Sequence, residues 1–227
     1  MSARRYFQEI RPLVKRLGTD ELPNIQRAGA LVAASIGGGH RVWVSRTTHC
    51  LHSEADYRAG GLVPAHVLED PLVIEQGDTV LMGTNAGTTF RAIEIASIAR
   101  ERGAHVVVLS QLEYERSPLI ESKHPSRKRL HELGDVVVDL GGSVGDGVME
   151  LLDTGVLIMP SSGVTGMVAM WMIFSEAVAL LCAEGKVPMV TQSLQLPGAT
   201  PRNEALIAEY RRTRVGYTPA RVTPGAR

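Results

Sequence analysis

The sequence has little of what marks several large classes of protein. Its 227 residues carry 24 basic and 24 acidic side chains, so no overall field attracts nucleic acid or an anionic membrane. Only 4% of the residues are aromatic, and no basic stripe interleaved with aromatics appears. These absences predict a protein with neither a nucleic-acid partner nor a membrane partner.

Cysteine is also scarce. The sequence has only Cys50 and Cys182, which lie far apart. Such a pair forms no disulfide framework and favours a reducing compartment. The first 17 residues lack the apolar core of a signal peptide. We therefore expect a cytoplasmic protein.

One long apolar run stands out, VTGMVAMWMIFSEAVALLCAEG at 164–185. Its length approaches that of a membrane span, but Glu176 lies inside it and its flanks carry little charge. A helix that is apolar nearly all round also fits burial in an α/β protein or at a dimer interface. We predict a buried helix.

The sequence does contain a series of short runs rich in valine, isoleucine and leucine. They do not alternate polar with apolar residues, as expected for parallel strands covered by helices on both faces. The runs are RVWVS (41–45), TVLMG (79–83), HVVVLS (105–110), DVVVDL (135–140) and GVLIMP (155–160).

Helical patterns lie before and between these runs, and they are opened and closed by capping residues such as Ser2 and Gly103. Alternating strands and helices predict a doubly wound α/β/α sandwich. We expect one domain over 1–227, with N-terminal helices at 2–38, a sheet core at 41–185 and a C-terminal extension at 186–227. The other predicted helices cover 88–102, 125–133 and 202–212.

In such a sheet the ligand lies outside the carboxyl ends of the strands. The segments that follow the predicted strands are rich in hydroxyls, glycine and basic residues, which fits an anion better than an apolar ligand. They are 46–50 (RTTHC), 84–88 (TNAGT), 111–124, 141–146 and 161–166 (SSGVTG).

The loop at 84–89 has two interpretations. Gly87 would allow a ligand close to the backbone, and a helix beginning near Thr88 would point free N–H groups at an anion. Alternatively, a threonine caps a helix after a glycine turn and needs no ligand. The loop SSGVTG has the same two interpretations, and two such loops on one edge favour a phosphorylated ligand.

The stretch after the first strand concentrates reactive side chains. His49, Cys50, His52 and Glu54 raise a metal hypothesis, but no second, distant ligand pair accompanies them. Proton transfer alpha to a carbonyl is the alternative that we favour, with a carboxylate base and an imidazole beside an anion site. Equally, Glu54 could form a surface ion pair with Arg58 one turn along.

The segment SKHPSRKRLHELGD (122–135) is strongly basic. A run of this kind is usually a solvated helix face. Lys123 and His124 precede the predicted helix and lie on the ligand edge, so they could complete an anion pocket, including one shared between subunits.

Five segments of the sequence are best considered together, and they cover about residues 25–210. The segments are EADYRAGGLVP, VLMGTNAGTTFRAIEIASIARERGAHVVVLS, SKHPSRKRLHELGDVVVD, GGSVGDGVMEL and PSSGVTGMVAMWMIFSEAV. Together, and in this order, they resemble the SIS (sugar isomerase) family, most closely its small single-domain branch of phosphosugar isomerases.

This resemblance implies a five-stranded parallel sheet between helices, an assembly of at least two subunits, and a phosphate gripped by the loop after TVLMG. Family members interconvert aldoses and ketoses, cleave ethers, remove amino groups or only sense sugar phosphates. An isomerase would move a proton between C1 and C2 through an enediol(ate), with no redox cofactor and no metal.

Two positions depart from the family pattern. Ala86 stands where the family usually has serine, which removes one phosphate hydroxyl. The usually Gly/Ser-rich loop after the first strand here reads Ser-Arg-Thr-Thr-His. Arg46 in that loop could restore the lost interaction, because guanidinium binds phosphate bidentately.

The sequence therefore predicts a homodimeric protein that binds a phosphorylated sugar and isomerises it. Glu54 is the expected base, His49 or His124 the assisting group, and Glu176 a reserve base unless it pairs internally. A non-catalytic sugar-phosphate sensor and a sugar-phosphate lyase or etherase are the alternatives. The expected substrate-binding residues are Arg46, Thr47, Thr48, Thr84, Asn85, Gly87, Thr88, Thr89, Ser161 and Ser162.

Overall fold

A five-stranded sheet forms the centre of the protein in a computed structural model, which describes residues 2–47, 50–56 and 58–220. Its strand order is β2-β1-β3-β4-β5, and all four neighbouring pairs are parallel. The central strand β3 is buried throughout. The strands are β1 (Val42–Ser45), β2 (Ala65–Leu68), β3 (Thr79–Thr84), β4 (His105–Ser110) and β5 (Val136–Asp139).

The sheet confirms the α/β fold class but corrects one strand. The run at 155–160 does not join the sheet, because Leu157–Pro160 (β7) pairs antiparallel with Gly147–Glu150 (β6) in a hairpin outside it. Met159 of β7 is 50% exposed. The fifth strand is instead AHVL at 65–68, which lies at the sheet edge beside β1 and lacks a long apolar run.

Seven α-helices are found within the described ranges. The N-cap of the first is confirmed, since the Ser2 Oγ accepts a hydrogen bond from the Arg5 N–H at 3.2 Å. The helices are α1 (Ala3–Leu17), α2 (Leu22–Gly37), α3 (Leu51–Ala55), α4 (Phe90–Glu101), α5 (Leu112–Glu115), α6 (Ser162–Ala183) and α7 (Ala199–Thr213). Two short strands, β8 (Lys186–Pro188) and β9 (Tyr217–Pro219), pair near the C-terminal end.

The helix predicted over 125–133 is wrong for most of its length. Only Leu130–Leu133 is helical, as a single 3-10 turn. Arg127 adopts a left-handed backbone with φ of +59°. The Arg129 guanidinium binds the carbonyl oxygens of Ser117 at 3.1 Å and Ile120 at 2.8 Å. Such side-chain bonds fix the segment as a loop across the end of the sheet.

Two hydrophobic clusters cover the two faces of the sheet. One contains the buried residues of α2, α3 and α6, and the other contains those of α4. Helix α6 is long and apolar enough to cross a membrane by length and composition alone, but 39% of its most apolar window is buried inside the protein. It packs so closely on α2 that a Cβ on Gly29 would lie 2.6 Å from the Glu176 Cβ. The buried-helix prediction therefore holds for the inner side of α6.

Candidate functional site

The loop at 84–89 leaves the carboxyl end of the central strand and leads into α4. Gly87 has a left-handed φ of +60°, and its N–H donates to the Thr84 Oγ1 at 3.3 Å. This turn redirects the chain so that α4 begins at Phe90, with Thr89 at the N-cap position. The helix N-terminus therefore points toward the edge where a doubly wound sheet binds its ligand.

Several donors of this loop remain available. No side chain caps α4, and within the described residues the side chains of Asn85, Thr88 and Thr89 make no hydrogen bond. Thr88 is nevertheless only 6% exposed. The first-turn N–H groups of a helix carry partial positive charge and need a partner. This arrangement suits an external anion.

A buried carboxylate lies directly against the loop. Glu115 of α5 has no exposed surface; it accepts hydrogen bonds from the Ser110 hydroxyl and, at 2.7 Å, from the His131 N–H. A Cβ on Gly87 would overlap the Glu115 side chain, so only glycine fits there. Sequence reasoning missed Glu115, and its one signal was an acidic residue shortly after the buried strand β4.

The predicted loop at 161–166 is instead the first turn of α6, with Ser161 at the N-cap position, and an internal carboxylate binds it. The Asp146 carboxylate accepts hydrogen bonds from the Ser161 N–H at 3.1 Å, the Ser162 N–H at 2.9 Å and the Ser162 hydroxyl at 2.6 Å. The Gln111 amide donates to the same carboxylate at 2.8 Å. Asp146 thus occupies the place that an external anion would take.

The electrostatics of Asp146 agree with this geometry. Burial by itself raises the pKa of its carboxyl, but hydrogen bonds from Ser162, Ser161 and Gln111 outweigh burial and the pKa is lowered. The carboxylate is therefore held in its charged form. Sequence analysis placed 141–146 on the ligand edge but gave Asp146 no role.

The loop after β1 is described only in part, because Thr48 and His49 lie outside the described residues. Arg46 is paired with Glu69, with 2.7 Å between the Arg46 Nε and the Glu69 Oε2, and both side chains are more than half exposed. The pair raises the pKa of Arg46 and lowers that of Glu69. Thr47 bonds the Ser45 hydroxyl at 3.0 Å. Arg46 would have to leave Glu69 to bind a phosphate.

The two described catalytic candidates have separate partners. The Glu54 carboxylate pairs with Arg58 at 3.0 Å, which is the alternative that the spacing had left open. The His124 ring bonds Glu94 at 3.1 Å and Ser126 at 2.7 Å, and its ring centre lies 5.0 Å from that of Phe90.

These candidates also belong to opposite sides of the sheet. Helix α3, which carries Glu54, is packed in the cluster that contains α6. His124 is bound to α4, whose buried residues form the other cluster. Glu176 is half-buried beside α2, and within the described residues it makes no ion pair. One subunit thus does not bring Glu54 and His124 into contact.

The architecture and strand order are those of the SIS fold. A structure of the Escherichia coli CFT073 protein c3406, in complex with a sugar phosphate, matches with a TM-score of 0.52 at 13% identity, over 80% of this chain and 88% of that one. A Methanococcus jannaschii protein, for which a 3-hexulose-6-phosphate isomerase function was inferred, matches with a TM-score of 0.51 at 11% identity, over 78% and 89%.

Sequence relatives define the family. A UPF0309 protein of Listeria monocytogenes is 31% identical, over 87% of this chain and 91% of the relative. A UPF0309 protein of Geobacillus kaustophilus is 27% identical, over 91% and 93%. No protein-family model matches the sequence. The chain belongs to the UPF0309 family.

Proposed function

We propose that this protein binds a phosphorylated sugar and isomerises it between aldose and ketose through an enediol(ate). The observation that carries the proposal is the loop at 84–89, where the side chains of Asn85, Thr88 and Thr89 make no hydrogen bond to any described residue and no side chain caps α4. A phosphate would satisfy these donors and interact favourably with the helix dipole. The sugar-phosphate complex of the Escherichia coli neighbour supports this ligand class.

The phosphate would be held by Thr84, Asn85, Gly87, Thr88 and Thr89, with Thr47, Thr48 and Arg46 on the facing loop. Arg46 would exchange Glu69 for phosphate, a modest cost because both partners are exposed. Ser161 and Ser162 donate to Asp146, but their hydroxyl oxygens keep lone pairs that could accept from sugar hydroxyls.

We propose Glu54 as the base, with His49 or His124 assisting at the sugar oxygens. Deprotonation at C2 needs a carboxylate within hydrogen-bond reach of the substrate, so Glu54 would release Arg58 when the sugar binds. Proton transfer of this kind needs no redox cofactor. Glu115 is placed to shape the phosphate loop from below.

We also propose that the protein is a cytoplasmic homodimer. Helix α6 carries partly buried apolar residues at the border of its core, and a second subunit would cover their exposed parts. They are Met167, Val168, Trp171, Met172 and Val178.

Binding is tested by a thermal-shift screen that compares sugar phosphates with their unphosphorylated parents. A ligand that binds the folded protein raises its melting temperature. We expect at least one sugar phosphate to stabilise the protein more than its parent sugar. If none does, the phosphate site is refuted.

Catalysis is tested by incubating each stabilising sugar phosphate in deuterated water and measuring deuterium at C2. Exchange by wild type that is lost in Glu54→Gln, with binding intact, supports isomerisation with Glu54 as base. Binding without exchange favours the sugar-phosphate sensor, and loss of a group beta to the carbonyl favours the lyase or etherase.

A further inference from the structure

A second cleft lies at the opposite end of the sheet from the phosphate loop. It has a volume of about 300 Å³ and is formed by the start of β1, the edge strand β2 and the end of α7. We call it the basic cleft, and its lining residues are Arg41, Trp43, His66, Tyr210, Arg211 and Arg214.

The basic cleft is separated from the proposed phosphate site by the length of a strand. Arg41 immediately precedes β1, whereas Arg46 and Thr47 immediately follow it. Five residue steps at about 3.3 Å each place Arg41 about 16 Å from Arg46. A ligand in the basic cleft would therefore not use the loop at 84–89.

Three of the six residues that line this cleft are arginines and none is acidic, while the buried Asp78 carboxylate lies beneath Trp43 and Arg41. Within the described residues, the side chains of Arg211 and Arg214 make no ion pair or hydrogen bond, whereas the neighbouring Arg212 pairs with Glu209 at 2.6 Å. The Arg41 guanidinium forms a long ion pair with Glu75, at 3.9 Å. The charges of Arg41 and Arg211 both act on His66 in this cleft, and an anion bound there would offset them.

The floor of the cleft is fixed in advance. The buried Asp78 accepts hydrogen bonds from the Trp43 indole at 2.7 Å and from the Arg41 N–H at 2.9 Å. The Arg41 guanidinium lies 5.3 Å from the Trp43 ring centre and donates to the Val73 carbonyl at 3.3 Å. A preformed, rigid donor loses less entropy on binding than a mobile one.

His66 reports the positive field of the cleft. Burial, and then the charges of Arg41 and Arg211, lower the pKa of its imidazole to about 4. The ring stacks on Tyr210 with 5.4 Å between centres. His66 is therefore neutral at neutral pH, so the positive charge of the cleft comes from its arginines.

We propose that the basic cleft binds the phosphate group of a small molecule, as a second ligand site that is independent of the sugar-phosphate site. Arginine binds phosphate bidentately, which suits three guanidinium groups around one opening. The volume matches the lower end of small-ligand pockets, as expected for a phosphate monoester or inorganic phosphate.

The test is a titration of the whole protein with inorganic phosphate and with glycerol phosphate, followed by NMR of the His66 imidazole. The His66 signal is assigned with His66→Gln. A bound anion should shift this signal saturably, with a Kd of about 1 mM or tighter. It should also raise the pKa of His66, because the positive field is neutralised. A stronger response to glycerol phosphate than to inorganic phosphate identifies a monoester as the ligand.

Variants separate this site from its surroundings and from the proposed function. Arg211→Gln combined with Arg214→Asn should weaken the response about 10-fold or more; asparagine suits the φ of +61° at position 214. The matched control Arg212→Gln changes the same turn of α7 and should leave binding intact. Thr88→Val, in the sugar-phosphate loop, should also leave it intact. Absence of a saturable shift, or equal affinity in the double variant, overturns the proposal.

Discussion

The loops at 84–89 and 161–166 look alike in sequence and differ in the structure. Both combine glycine with hydroxyl residues, both lie on the ligand edge, and both lead into a helix. Within the described residues the side chains of Asn85, Thr88 and Thr89 in the first make no hydrogen bond, whereas Asp146 binds the donors of the second. The start of α6 thus already has an anion that the protein itself supplies, whereas we propose that the start of α4 receives one from a ligand.

On our proposal, this difference separates a structural use of the motif from a ligand-binding use. Asp146 is tied to the start of α6, so the second loop is fixed whether or not a ligand is present. The first loop is fixed from below by Glu115 and by the hydrogen bond from the Leu130 N–H to the Gly87 carbonyl at 2.9 Å, which leaves its outer side open. Four predictions test this contrast.

The largest effect is expected for Asp146→Ala. The change leaves the start of α6 and the Gln111 amide without their acceptor, so we expect the free energy of unfolding to fall by about 3 kcal/mol. Urea denaturation measures it. Because the removed carboxylate acted as an anion, sulfate should restore more stability in this variant than in wild type.

Asp146→Asn is the matched control, since asparagine tolerates the φ of +66° at this position. We expect Asp146→Asn to lower the free energy of unfolding by less than Asp146→Ala does. The stability of both variants should depend on pH differently from that of wild type. The lowered pKa of Asp146 stabilises the protein above the ordinary value of 3.8, and this contribution is lost as the pH falls through the folded pKa. If Asp146→Ala is as stable as wild type, Asp146 does not stabilise the start of α6 and the structural role of this loop is refuted.

Gly87→Ala should have the next largest effect. Its Cβ would displace Glu115 from the hydrogen bonds that hold it, and alanine is strained in a left-handed backbone. We therefore expect the free energy of unfolding to fall by about 3 kcal/mol. Gly155→Ala is the control. Its φ of +73° carries the same strain, but no atom lies within 4 Å, so only about 1 kcal/mol is expected. Equal losses would show that Glu115 does not support the loop.

Removing one hydroxyl from each loop should affect different properties, stability in one case and sugar-phosphate affinity in the other. Ser162→Ala removes a buried bond to Asp146 and should cost about 1 kcal/mol of stability with little loss of sugar-phosphate affinity. Thr89→Ala removes an unbonded hydroxyl, so stability should hardly change while affinity falls about 10-fold. Paired urea and binding titrations check both. The contrast fails if Ser162→Ala loses more affinity than Thr89→Ala.

The sequence predicted the inner sheet well because buried parallel strands carry a strong local signal. The bounds of β4 agree with the valine run at 105–110, and β3 differs by one residue. The edge strand β2 was missed, because His66 interrupts its short apolar pattern. The run at 155–160 was placed in the wrong sheet, since an apolar run does not reveal which strand it pairs with.

For the candidate site, the sequence predicted where the loops lie on the sheet but not which internal partners their residues bind. The rule that ligands lie at carboxyl ends of strands found the loop at 84–89 from the sequence alone. Asp146 reaches Ser161 across 15 residues, Glu115 reaches under Gly87, and Arg46 reaches Glu69 across 23 residues. These contacts depend on the packed chain, and no local pattern encodes them.

The smallest effect concerns Ala86, the half-buried residue that stands where the resembled family usually has serine. If the loop at 84–89 binds phosphate, Ala86→Ser adds one hydroxyl donor to a charged acceptor, which should tighten sugar-phosphate binding about 10-fold. Stability without ligand should change little, because the loop has room on its outer side. Ala199→Ser, at the start of α7, is the control and should leave affinity unchanged. A loss of affinity in Ala86→Ser would mean that this loop has been reshaped for a ligand with a smaller anionic group, and the contrast with the closed loop at 161–166 would then rest on size as well as on charge.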